Sequence, residues 1–216
     1  SHAIANGLTW GPDGWLYGAQ GSTSSCSVSR PEDPQGTAPA AYTGCMIWRY
    51  HPDSRAFEIF AEGGGNNFGL EFDAVGRLFG GHNGGGTRGF HFVQGGRYRM
   101  QGTNPAKYGP VRNPFSFGEL PQLATADTVV RFTHNGAFAD GTAMPAASAG
   151  HLFSLDPLHN VITEAVVTSR GAGFATSDLP PAVNSSDEAF RPVFITNAPD
   201  GSLFVCDMYE YFIAHG

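Results

Sequence analysis

Nine polar side chains stand at comparable points of a repeating pattern: His2, Gln20, Asn66, Asn67, His82, Asn83, Arg191, Asp207 and Tyr209. A histidine titrates near neutral pH and can take a proton from a hydroxyl. The amides, the arginine and the carboxylate can hold a polar ligand in place. Each has a plainer alternative. His2 could bond a backbone carbonyl. Arg191 and Asp207 could pair with each other across a hairpin. Asn66 and Asn67 follow Gly63-Gly64-Gly65, which is either an ordinary turn or a place where a ligand approaches the backbone. Tyr209 and His2 could also supply an acid/base pair for a hydrolase or lyase, although no spacing singles that out.

Chemistry of this kind needs a scaffold that brings distant positions together, and the sequence contains one. The pattern Gly-x-Leu-aromatic occurs four times, at Gly14–Tyr17, Gly76–Phe79, Gly150–Phe153 and Gly201–Phe204. Around it, an apolar run, a tight turn and a second apolar run read as a β-hairpin. Pro12-Asp13-Gly14 and Pro199-Asp200-Gly201 supply the turn: Pro presets φ, Asp bonds its own backbone, and Gly accepts a positive φ. Met46–Tyr50 and Ala56–Phe60 alternate apolar and polar residues, as half-buried strands do, and so extend the first hairpin to four antiparallel strands. Gly89–Gln94 and Arg97–Met100 extend the second in the same way.

One such sheet cannot bury both of its faces, and radial stacking into a β-propeller solves the problem. The expected fold is therefore all-β, with about 3.5 blades of four antiparallel strands. The blades are expected at residues 7–62, 67–101 and 129–168, with a half blade at 191–216. Ser22–Gly44 and Gly102–Asp127 read as loop insertions. In each blade the start of the first strand and the end of the second lie at one end of the sheet. His2, Asn66, Asn67, His82, Asn83, Arg191 and Asp207 should therefore converge on one rim of the hub, and the Pro-Asp-Gly turns on the other.

Composition narrows the classes. The charge is −7, and Lys107 is the only lysine among 12 basic residues, so no basic patch points to nucleic acid. No apolar run is long enough for a membrane-spanning helix. Gly84-Gly85-Gly86 is no phosphate loop, since no Lys-Ser/Thr follows. Eight scattered histidines and three cysteines without a CxxC pair define no metal site. Cys26 and Cys45 flank a Ser/Pro/Ala-rich segment and are as readily a disulfide as two free thiols. Ser1 lies just before the first hairpin, so the chain reads as an interior piece of a longer protein.

His2, Asn6-Gly7-Leu8, Gly11–Tyr17, Asn66 with Phe68-Gly69-Leu70, Gln94–Tyr98, Phe190–Val193 and Cys206–Tyr209 together resemble a known superfamily. It is the superfamily of six-bladed soluble quinoprotein glucose and sorbosone dehydrogenases, in the branch labelled membrane-bound dehydrogenases. The resemblance implies oxidation of a sugar or other alcohol in the periplasm or outside the cell. His2 would be the catalytic base, with pyrroloquinoline quinone and calcium as cofactors. Asn66, Asn67 and Arg191 would contact the cofactor. By the hairpin reading rather than the resemblance, Gln20, His82, Asn83, Asp207 and Tyr209 would face the substrate. A c-type cytochrome would accept electrons, and the remaining blades of the same protein would complete the hub. Two departures stand in the sequence. Gly65 occupies the place of an arginine that precedes the matching Asn in quinone-binding members, and residues 80–89 hold no carboxylate. A propeller of this type that binds a glycan or a protein partner without catalysis is the alternative.

Overall fold

The computed structural model describes residues 4–22, 24–100, 118–129 and 134–213. His2 lies outside the described residues. Blade I is an antiparallel sheet of β1 (Asn6–Trp10), β2 (Leu16–Gln20), β5 (Met46–Tyr50) and β6 (Phe57–Glu62). The insertion between β2 and β5 is not simple loop: β3 (Ser25–Val28) and β4 (Ala40–Thr43) pair as a separate hairpin. Blade II contains β7 (Leu70–Phe72), β8 (Leu78–Gly80) and β9 (Phe90–Phe92).

The next strand, β10 (Gly96–Tyr98), departs from expectation. It does not extend blade II but runs parallel to β6, with Gly96 opposite Ala61 and Arg97 opposite Glu62. Its side chain stays with blade II: Tyr98 packs edge-on to Phe90 and Phe92, and its hydroxyl donates to the His91 carbonyl at 2.6 Å. Backbone on one blade and side chain on the next, β10 stitches the two together. The close backbone approach requires Gly63, where a Cβ would fall 1.9 Å from the Tyr98 carbonyl oxygen.

The described part of the second insertion runs from the edge of the blade I sheet to that of blade III. β11 (Glu119–Leu120) continues the edge beyond β10, and β12 (Ala124–Thr125) joins the edge of blade III. Blade III holds β13 (Gly136–Phe138), β14 (Leu152–Asp156), β15 (Val161–Arg170) and β16 (Gly173–Asp178), with the short β17 (Val183–Asn184) against β15. This sheet reaches Asp178, beyond residue 168. The last hairpin is β18 (Pro192–Asn197) with β19 (Leu203–Asp207). Ala146–Ser148 forms a single 3₁₀ turn.

Three apolar cores lie between successive blades, because alternate residues of each strand point to opposite faces. Tyr17, Ile47 and Phe60 of blade I meet Leu70, Leu78 and Phe90 of blade II. Phe79, on the other face of blade II, meets Phe138 and Leu152. Phe153 and Leu155 then meet Ile195 of the last hairpin. This one-after-another stacking of sheet faces is a β-propeller arrangement. Its terminal faces carry exposed apolar side chains, among them Leu8 and Trp10 on β1 and Phe194 and Phe204 on the last hairpin.

The turns follow the expected chemistry. Gly14, Gly76 and Gly201 have φ of 80°, 81° and 83°. Asp13, Asp73 and Asp200 each accept the amide of the residue two positions on. No disulfide joins Cys26 and Cys45. Cys45 is fully buried, and its sulfur accepts the Asn66 amide at 3.3 Å.

Candidate functional site: the hub rim

The innermost strands lie so close together that side chains are excluded between them. A Cβ at Gly7 would stand 2.9 Å from the Gly69 Cα, and one at Gly69 would stand 2.3 Å from Asn135 Nδ2. Asparagines span these contacts. Asn6 Oδ1 accepts the Gly69 amide, and its Nδ2 donates to the Asn67 carbonyl, both at 3.1 Å. Asn135 Oδ1 accepts the Ile195 amide at 2.9 Å. Asn6 thus fastens blade I to blade II, and Asn135 fastens blade III to the last hairpin.

The predicted site residues fall into two clusters. The first surrounds Gly63–Gly65. Gln20 is buried and donates to the Ser24 and Gly44 carbonyls at 3.2 and 2.9 Å. Asn66 is half-buried in a left-handed conformation, φ 53°. Its Oδ1 accepts from the Ser22 amide and hydroxyl, while its Nδ2 has no acceptor among the described residues. Asn67 is fully buried and donates to the Gly63 carbonyl, and its Oδ1 meets no donor among the described residues. The Asn83 amide donates to the Gly65 carbonyl at 2.9 Å. His82 is wedged between glycines: a Cβ at Gly65 would lie 1.3 Å from its Nδ1, and one at Gly84 would lie 2.4 Å from its Nε2. Burial pushes the His82 pKa down, against a smaller opposing effect of the Gly65 and Gly85 backbone, so the ring is neutral at pH 7.

The second cluster joins the last hairpin to the β14–β15 turn. The Arg191 guanidinium donates to three backbone carbonyls, through Nε to Glu210, Nη1 to Pro157 and Nη2 to Tyr211, at 2.9 to 3.1 Å. It is 9% exposed. Asp207 does not bond the guanidinium; it accepts the backbone amides of Arg191 and Tyr209. Tyr209 is exposed, and the neighbouring Asp187 carboxylate raises its phenol pKa.

The structure adds residues that sequence reasoning did not place on the rim. His134 stacks on Phe68 at 4.6 Å across blades II and III, and burial lowers its pKa to about 4. Asp156 Oδ2 holds His159 Nδ1 at 2.7 Å in the β14–β15 turn. A signal for the first was present. Asn135-Gly136-Ala137 repeats Asn6-Gly7-Leu8.

Two solved structures with this architecture are described as sugar dehydrogenases. An oxidoreductase (glucose dehydrogenase) from Thermus thermophilus superposes with a TM-score of 0.54 at 21% identity, over 92% of this chain and 57% of its own. The PQQ-bound form of an aldose sugar dehydrogenase from Streptomyces coelicolor superposes with a TM-score of 0.52 at 18% identity, over 94% of this chain and 55% of its own. This chain therefore spans little more than half the length of either, and the likeness is one of fold. No curated protein sequence matches the chain significantly. The domain family described as "Domain of unknown function (DUF7133)" matches residues 1–216, and the chain belongs to that family.

Proposed function

We propose that this dehydrogenase-like propeller binds a sugar or another polyol on the hub rim. The carrying observation is the pairing of Phe68 and His134 near the half-buried Asn66, whose Nδ2 is unspent among the described residues. An aromatic face beside amide donors suits a ligand that offers C–H faces and hydroxyls together. Both structural neighbours carry sugar-dehydrogenase descriptions, which supports a carbohydrate as the ligand class. The test is calorimetry of the full-length protein against a panel of neutral mono- and disaccharides. Saturable binding is expected, weakened roughly tenfold in Phe68→Ala through loss of the stacking face. A panel without any saturable ligand sinks the reading.

Oxidation of the bound sugar is the second reading, favoured by the PQQ-bound neighbour. It includes His2 as base, a c-type cytochrome as acceptor, a location outside the cytoplasm, and further blades packed on the apolar terminal faces. Reduction of a redox dye by full-length protein supplied with the quinone, calcium and the sugar panel tests it; under this reading alone dye is reduced, and His2→Ala abolishes that turnover.

A further inference from the structure

Pyrroloquinoline quinone is a tricarboxylate, so a site that holds it needs unspent cationic donors and, for its calcium, oxygen ligands carrying charge. The positions that the resemblance assigns to the cofactor offer neither. Arg191 is nearly buried, and each of its three guanidinium nitrogens already serves a backbone carbonyl. Arg88, in the turn after β8, is bound through Nε and Nη2 to the two carboxylate oxygens of Asp178. Position 65 is glycine, and the space its side chain would enter is filled by His82. No group of three acidic, histidine or cysteine side chains that could hold a metal occurs among the described residues. Around the Arg191 clamp the formal charges are carboxylates: Asp156 in the turn it holds, Asp207 on its own amide, Asp187 beside Tyr209, and Glu210. The described residues do not fit the quinone.

From this arrangement we infer that the rim selects by charge, taking an uncharged polyol and rejecting a polycarboxylate. The inference rests on the rim being the ligand site, and it narrows the ligand class there. Neutral imidazoles and amides solvate hydroxyls at little cost, whereas an anion brought to the Arg191 clamp, among the carboxylates of Asp156, Asp187, Asp207 and Glu210 and beside a guanidinium already spent on carbonyls, is repelled. Arg191 is then a positioning residue: it fastens the last hairpin and the Pro157 turn into one body.

Two titrations of the full-length protein test this. In the first, the quinone is added with and without calcium, and tryptophan fluorescence is followed. No saturable binding is expected up to roughly 1 mM. Saturable quinone binding overturns the inference, whichever residues supply it. In the second, each neutral sugar that binds is compared with its uronic acid. The uronate is expected to bind at least about tenfold more weakly, with the gap narrowing as salt screens the carboxylates. A uronate that binds as tightly as its neutral parent also overturns the inference. If no sugar binds, the proposed function fails, and the quinone titration still decides this point. Arg191→Gln is expected to lower the melting temperature and leave the quinone titration flat.

Discussion

The side-chain oxygen of Asn135 accepts the backbone amide of Ile195 at 2.9 Å, so the first strand of blade III holds the first strand of the next hairpin across the hub. Both residues are buried, at 3% and 1% exposure. Asn135→Ala leaves the Ile195 amide without its acceptor, a loss of about 1–3 kcal/mol. Asn6→Ala removes the equivalent bond to Gly69 at a half-exposed site, where water can replace it, and should cost less. Urea denaturation of both variants checks the order. Equal losses would show that the Ile195 contact carries no special weight.

Gly65 and His82 should behave as one unit. The Cβ of Gly65→Ala enters the space of the imidazole, so the ring must move or the loop must open. Destabilisation of roughly 1–3 kcal/mol is expected. In the His82→Ala background the same change should cost much less, and a double-mutant cycle measures the difference. Additive effects would mean that the loop relaxes without regard to the ring.

Glu71, on β7, is desolvated by burial and, to a smaller extent, faces the negative charge of Asp140 across the blade II–blade III contact, and its carboxyl pKa rises from 4.5 to about 7. Asp140 is itself raised by burial and by Asp73. The folded protein therefore keeps a proton that the unfolded chain releases near pH 4.5. The stabilisation this gives is complete below that pH and is lost as pH climbs through about 7. Wild-type stability should fall across this window by on the order of 3 kcal/mol. Glu71→Gln should flatten the fall, as followed by thermal melts from pH 4 to pH 8, a range of about four units around the shifted carboxyl. An unchanged slope in the variant would assign the pH dependence elsewhere.

Two buried hydroxyls near the same contact should respond in opposite ways. Thr87 is fully buried and fully used: its Oγ1 donates to the Leu123 carbonyl at 2.6 Å and accepts the Gly89 amide at 3.2 Å. Thr87→Val strands both partners and should cost about 2–3 kcal/mol. Ser154 is 1% exposed, and its Oγ has no partner among the described residues; it lines a cavity of about 10 Å³ with Glu71 and Arg88. Ser154→Ala removes an uncompensated polar group and should be neutral or stabilising by up to about 1 kcal/mol. Paired denaturation curves settle the contrast.

The parts of this fold legible in sequence are those governed by neighbours along the chain. Pro12-Asp13-Gly14 and Pro199-Asp200-Gly201 announce tight turns because Pro, Asp and Gly each bias the backbone locally, and the glycines take the positive φ that this chemistry asks for. The alternation in Met46–Tyr50 marks a strand because one face of it is buried. The place of Gly96–Tyr98 was not legible. Its parallel pairing with β6 joins segments far apart in sequence, and nothing local distinguishes that partner from β9.

The candidate site divides along the same line. Strand direction predicts which residues share one end of a hairpin, since the start of one strand and the end of its antiparallel partner lie together. What each side chain does there was decided by tertiary structure. Gln20 and Arg191 are polar residues at rim positions, yet their donors end on carbonyls of Ser24 and Gly44, and of Pro157, Glu210 and Tyr211. The physical reason is that a polar group's availability depends on which acceptors the folded chain brings within bonding distance. A sequence specifies the donor; only the packed blades determine whether it is already satisfied.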